Sequence, residues 1–133
     1  MRTHIALGVR DLAASRDFYR VLLGQEPLRT QPGYVQFLSD HMNLALTEGP
    51  VRARSEGHFG LEVASAAEVL GHLERARAGG LQVAVEAAVA CCYAIQDKFW
   101  SVDPDGNRWE VFFVQSRQMD LQETTPGGCC TAS

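Results

Sequence analysis

Long apolar runs are missing from this 133-residue chain, and none approaches the roughly 20 residues that span a bilayer. An excess of positive charge is missing too. Twelve Lys and Arg stand against sixteen Asp and Glu, a formal net charge of -4. Nucleic acid and anionic membrane surfaces are therefore poor partners. The first residues enter strand-like sequence without a basic-then-apolar leader, so the expected location is the cytoplasm. Cysteine is scarce: four residues, in two adjacent pairs, Cys91-Cys92 and Cys129-Cys130. A disulfide between chain neighbours closes a small strained ring and staples nothing, which excludes a secreted disulfide framework and leaves thiol chemistry as the purpose of the pairs. The remainder, 46% hydrophobic and 21% charged, is the make-up of one globular domain at this length.

What the chain does contain is a repeated pattern. Thr3 to Val9 alternates in polarity, with Ile5, Leu7 and Val9 on one face of a strand and His4, Ala6 and Gly8 on the other. His58 to Val63 repeats this, with Phe59, Leu61 and Val63 on the apolar face and His58, Gly60 and Glu62 opposite. Each segment runs into a helical pattern. Asp11 caps the first helix, whose apolar positions Leu12, Phe18, Tyr19, Leu22 and Leu23 end at Gly24. Ser65 caps the second, with Val69, Leu70 and Leu73 on one face and Gly79-Gly80 at its end. Three strands are expected after each helix: 26–30, 34–39 and 42–48 in the first half, then 81–86, about 92–97 and 107–114 in the second. Asp103-Pro104-Asp105-Gly106 supplies the last turn. The tail from 116 onward is polar, has no core pattern, and is expected to be mobile without a ligand.

The order strand, helix, three strands, repeated once, resembles the vicinal oxygen chelate superfamily, which includes glyoxalases, bleomycin-resistance proteins and extradiol dioxygenases. The resemblance implies an α+β fold in which two β-α-β-β-β modules form a metal-binding cup. All of 1–133 is then a single domain: one module over about 3–48, a linker over about 49–57, a second module over about 58–115, and a cysteine-containing tail over about 116–133.

Three side chains fall where a metal would need them. His4 and His58 open the equivalent strands. In the last strand Arg108, Glu110 and Phe112 share a face, so Glu110 turns toward the histidines if Trp109, Val111 and Phe113 pack under the helices. Two imidazoles and one carboxylate make a facial triad with open positions, a set suited to non-haem Fe(II). Glyoxalases complete a symmetric site with a second carboxylate. Here 43–47 holds no acid and Glu48 arrives only at the strand end, so three protein ligands are expected. His41, in a turn, and His72, on a helix, stay outside the set.

Adjacent thiolates suit a soft, thiophilic centre such as trivalent arsenic or Cd(II). In a regular strand Cys91 and Cys92 would point to opposite faces, so joint chelation needs a loop or bulge there. The motif Cys91-Cys92-Tyr93-Ala94, Gln96-Asp97-Lys98, Asp103-Pro104-Asp105-Gly106-Asn107 and Trp109-Glu110 accompanies Gln31-Pro32-Gly33-Tyr34 and Asn43-Leu44-Ala45-Leu46. Together they closely resemble the ArsI-type carbon–arsenic lyases, and cadmium-induced proteins of the same subfamily look similar. That resemblance implies an Fe(II)-dependent dioxygenase that uses O2 to cleave the C–As bond of trivalent organoarsenicals, methylarsenite or aromatic, releasing inorganic arsenite. It assigns iron to His4, His58 and Glu110, and arsenic to Cys91 and Cys92. Cys129 and Cys130 become a candidate shuttle, and a homodimer is compatible with the cup. Two readings compete: thiol-based sequestration of Cd(II) or As(III) without catalysis, and another metalloenzyme of the superfamily, a glyoxalase or extradiol dioxygenase.

Overall fold

A computed structural model of the chain describes residues 1–51, 57–91 and 94–117, with side chains described outside 87–96 and 115–117. The element order is β1 (Thr3–Val9), α1 (Leu12–Leu23), β2 (Arg29–Gln31), β3 (Tyr34–Leu38) and β4 (Met42–Glu48). The second half follows with β5 (Phe59–Glu62), α2 (Ala66–Ala78), β6 (Ala84–Cys91), β7 (Ala94–Val102) and β8 (Arg108–Arg117).

Both helices start and stop where their caps lie. The Asp11 carboxylate accepts the Ala14 N–H, and Gly24, at φ 66°, turns its own N–H back to the Arg20 carbonyl. An L side chain at Gly24 would also collide with the Arg75 guanidinium, 2.6 Å from an added Cβ. In α2 the Ser65 hydroxyl accepts from Glu68 N while the Glu68 carboxylate reaches back to Ala64 N. That exchange satisfies the Glu68 N–H, one of the donors a helix start leaves open, and the N–H just ahead of the cap.

The strands form two four-stranded sheets, β1-β4-β3-β2 and β5-β8-β7-β6. β1 runs parallel to β4 and β5 parallel to β8, and the other neighbours are antiparallel. α1 packs on β3, β4 and α2, and α2 on β7 and β8. One continuous core joins the halves. It holds Phe18, Tyr19 and Leu22 of α1, Leu44 and Leu46 of β4, Val69 and Leu73 of α2, and Trp109 and Val111 of β8. The alternation read from sequence holds: Trp109 and Val111 are buried on the helix side of the sheet.

Several expectations need correction, among them β7, which runs Ala94–Val102 rather than about 92–97 because its ladder with β8 extends to Val102–Arg108. The first short strand is Arg29–Gln31, not 26–30, and all three of its residues are exposed. With no buried face, only its pairing with β3 sets its position. β6 begins at Ala84 rather than 81 and continues to Cys91, because its ladder with β7 carries it past an irregularity between Glu86 and Val89. Leu70 does not join Val69 and Leu73 in the core. It is 55% exposed, since one helical step of about 100° turns it off the buried stripe that Ala76 completes.

A polar lock spans the two modules. The Tyr19 hydroxyl donates to Asp103 Oδ2 at 2.5 Å and accepts from Trp109 Nε1 at 3.0 Å. Burial, then the neighbouring Asp103 charge, push the Tyr19 phenol well above its usual range, so it remains a donor at any ordinary pH. Asp103 further accepts from Asp105 N, Asn107 N and Asn107 Nδ2, which saturates its carboxylate and shapes the turn into β8.

Candidate metal centre

The shared core fixes which sheet faces stay open. Ile5, Leu7 and Val9 pack inward, so His4, Ala6 and Gly8 occupy the outer face, where all three are exposed. In the second module Glu110 alternates with buried Trp109 and Val111 and lies on the outer face of β8. Gly60 is its register partner on β5.

His58 and Glu110 come together. His58 precedes β5 by one residue, and its Nε2 lies 3.2 Å from Glu110 Oε2. The imidazole is 47% exposed while the carboxylate is 10% exposed, so the imidazole is the more accessible member of the pair. Gly60 leaves room beside the Glu110 side chain. A Cβ there would sit 3.0 Å from Phe112 Cε1 and 3.3 Å from Glu110 Cγ. Its role has a sequence signal, a residue without a side chain on the face that the histidine opens.

His4 does not join this pair. Among the described residues no group of three or more His, Cys, Asp or Glu could hold one metal ion. One nitrogen of the His4 ring is nonetheless fixed by a hydrogen bond. Its Nδ1–H donates to the Asn43 carbonyl at 3.1 Å, which leaves Nε2 as the nitrogen for a metal. Metal-binding histidines are commonly keyed in this way through the other ring nitrogen. The Asn43 side chain is held in turn by Gln36 Nε2 at 2.9 Å. His41 and His72 lie elsewhere, lining a crevice of about 230 Å³ between the β3–β4 turn and α2.

Register explains why a second carboxylate is lacking. Ala6, two residues after His4, pairs with Ala45, just as Gly60, two after His58, pairs with Glu110. Ala45 is therefore the counterpart of Glu110 and offers no ligand. Glu48 is engaged elsewhere: its Oε2 accepts the Leu12 N–H at 3.3 Å, at the start of α1.

Beside the pair stands Trp100 of β7, the register partner of Glu110. Its ring meets His58 edge-on at 5.1 Å between centroids. The Arg108 guanidinium lies 4.7 Å from its centre and the Lys98 ammonium 5.6 Å. Sequence reasoning passed over Trp100, since strand alternation places a side chain on a face without naming its neighbour.

The thiols are only partly placed. Cys91 ends β6 and is in register with Ala94 of β7, but its side chain lies outside the described residues. Cys92, Cys129, Cys130 and the tail expected to be mobile lie outside them as well.

A family model described as Glyoxalase/Bleomycin resistance protein/Dioxygenase superfamily matches residues 2–111. The chain belongs to this superfamily. Within it, a protein of Bacillus sp. (strain MD1) named "Trivalent organoarsenical cleaving enzyme" is 40% identical over 96% of this chain and 81% of its own length. "Cadmium-induced protein CadI" of Mycobacterium bovis is 39% identical over 97% of this chain and 92% of its own. A solved glyoxalase/bleomycin resistance protein/dioxygenase from Alicyclobacillus acidocaldarius superposes with a TM-score of 0.73 at 20% identity, over 87% of this chain and 92% of that one, and shares the fold. Named enzymes among the close relatives support an enzyme. Superfamily membership supports a divalent metal, and the His58 imidazole and Glu110 carboxylate, 3.2 Å apart, are donor types that fit such an ion.

Proposed function

We propose that this protein is an Fe(II)-dependent carbon–arsenic lyase that uses O2 to convert trivalent organoarsenicals to inorganic arsenite. The observation that carries it is the His58–Glu110 pair on an open face, with Ala45 where a symmetric four-ligand site would have its second carboxylate. A three-ligand set leaves positions for small molecules and favours oxygen chemistry over the glyoxalase reading. The close relative named for organoarsenical cleavage supports the substrate class.

His4, His58 and Glu110 would hold the metal. Bound Fe(II) would supply a centre at which O2 binds and is activated. Cys91 and Cys92 would hold the substrate: trivalent arsenic bearing one carbon substituent has two valences left for thiolates, so a dithiol grips it with the C–As bond intact. Fixing that bond beside the metal face replaces an encounter in solution with a set geometry. For a methyl substituent the atoms balance: methylarsenite and one O2 give arsenite and formaldehyde, with carbon oxidised and oxygen reduced. Free thiols of this kind call for a reducing compartment, in agreement with a cytoplasmic location. Among the described residues no helix is long and apolar enough to cross a membrane.

The third ligand would come from a second copy of the chain. β1 and β5, the strands that start at the histidines, are both sheet edges, and His4 lies apart from His58 and Glu110 within one chain. A homodimer that sets β1 of one copy beside β5 of the other brings His4 to its partner ligands and covers both edges.

Anaerobic loading with Fe(II), addition of methylarsenite and admission of air test the reading, with arsenic species followed by chromatography and elemental detection. Conversion to inorganic arsenite, lost in both Cys91→Ser and Glu110→Ala, is expected. The 39% identity to a cadmium-induced protein favours one alternative, sequestration by thiols alone. Stoichiometric arsenic binding without conversion, with iron confirmed in place, would establish that alternative instead.

A further inference from the structure

We propose that Trp100 is a positioning residue for the metal ligand His58, doing for that imidazole what the Asn43 carbonyl does for His4. The role rests on the metal-centre reading above and deepens it. The two histidines are held differently. His4 is keyed through Nδ1 at 3.1 Å, away from the nitrogen that would meet a metal. His58 has only Glu110 and Trp100 as ring partners among the described residues. Its 3.2 Å contact with Glu110 joins two ligand atoms, so a metal that takes both ends that contact. Trp100 is then the neighbour left to orient the ring.

The indole is built to stay in place. It projects from β7, an inner strand hydrogen-bonded to β6 on one side and β8 on the other, in register with Glu110. Arg108 and Lys98, with centroid distances of 4.7 and 5.6 Å, hold its ring from the same sheet face. Lys98 is the only lysine in the chain, and it stands two residues before the ring it touches. An edge-on imidazole at 5.1 Å with rings at 75° is the arrangement aromatic pairs prefer to face-to-face stacking. It restricts rotation of a ring that would otherwise swing freely from an exposed strand entrance. Trp109, the other tryptophan, belongs to the core on the far side of the sheet and cannot take this part.

The test is metal affinity rather than turnover, read on the full chain by titration with Co(II) under reducing conditions. Trp100→Leu is expected to weaken Co(II) binding about 10- to 100-fold, the loss typical for removal of a group that orients a ligand. Trp100→Phe keeps an aromatic edge and is expected to restore affinity to within about threefold of the parent. Thermal melts confirm that each variant folds. Should Trp100→Leu unfold, Lys98→Gln combined with Arg108→Gln leaves the ring but frees it, with an expected loss of about two- to fivefold. Affinity unchanged in Trp100→Leu, or unchanged in the double variant if the first does not fold, overturns the proposal. So does a loss equal in Trp100→Phe and Trp100→Leu, which would mark general packing. The His58→Ala control separates the two levels. A parent chain that binds Co(II) no better than His58→Ala ends the metal-centre reading, and the positioning role with it.

Discussion

At the scale of single residues, the largest consequences hang on Tyr19. Its hydroxyl touches Asp103 of the β7–β8 turn and Trp109 of the site strand together. Tyr19→Phe keeps the ring contacts with Phe18, Phe37 and Trp109 but leaves the indole N–H and one lone pair of Asp103 buried without a partner. An unsatisfied buried group costs about 1–3 kcal/mol, and Asp103 retains its other donors, so a loss of about 2–3 kcal/mol in chemical denaturation is expected. Nothing local in the sequence announces this bond, because its ends lie in different modules. The alternation around Glu110 was legible, since each strand residue has a fixed face. Which residues meet across the core was not.

Among elements, the joint between α1 and α2 depends on a histidine that must remain neutral. Arg75 of α2 donates from Nε to the Val21 carbonyl and from Nη2 to the Leu22 carbonyl, at the end of α1 where carbonyls lack helical partners. The same Nη2 donates to His72 Nδ1 at 2.6 Å, so His72 must present a lone pair there. Burial, and next the adjacent Arg75 charge, lower the His72 pKa, with Glu68 opposing. The unfolded chain therefore takes up this proton before the folded one does. The contribution is complete above the ordinary histidine value and is lost as pH falls through the depressed folded value. His72→Gln can still accept from Arg75 but does not titrate. Melting points of the parent and this variant are expected to converge, or cross in favour of His72→Gln, between about pH 7.5 and pH 5. Caps made both helices readable to the residue, since Asp11, Gly24, Ser65 and Gly79 act within a turn of their own positions. The register of edge elements was not readable: β2 carries no buried residue, and β6 owes its length to β7.

For the molecule as a whole, the decisive property is that the candidate ligands face outward while the two modules share one core. If two copies complete each site, chains carrying His4→Ala and chains carrying His58→Ala are each inactive alone. Mixed in equal amounts after dissociation, they form heterodimers in which one of two sites regains all three ligands. About a quarter of the parent metal capacity is then expected. Dialysis against Co(II) with metal analysis reads this directly, and a mixture that binds no more than its separate components contradicts the shared site. The one-sided lock has a bearing on descent as well. By their caps, Tyr19 of the first module and Leu73 of the second occupy the same place in the repeat, both buried. A protein assembled from two copies of 3–48 would present the phenol twice and the Asp103 turn never, with both hydroxyls stranded. The two halves are complementary at this lock, so neither can replace the other.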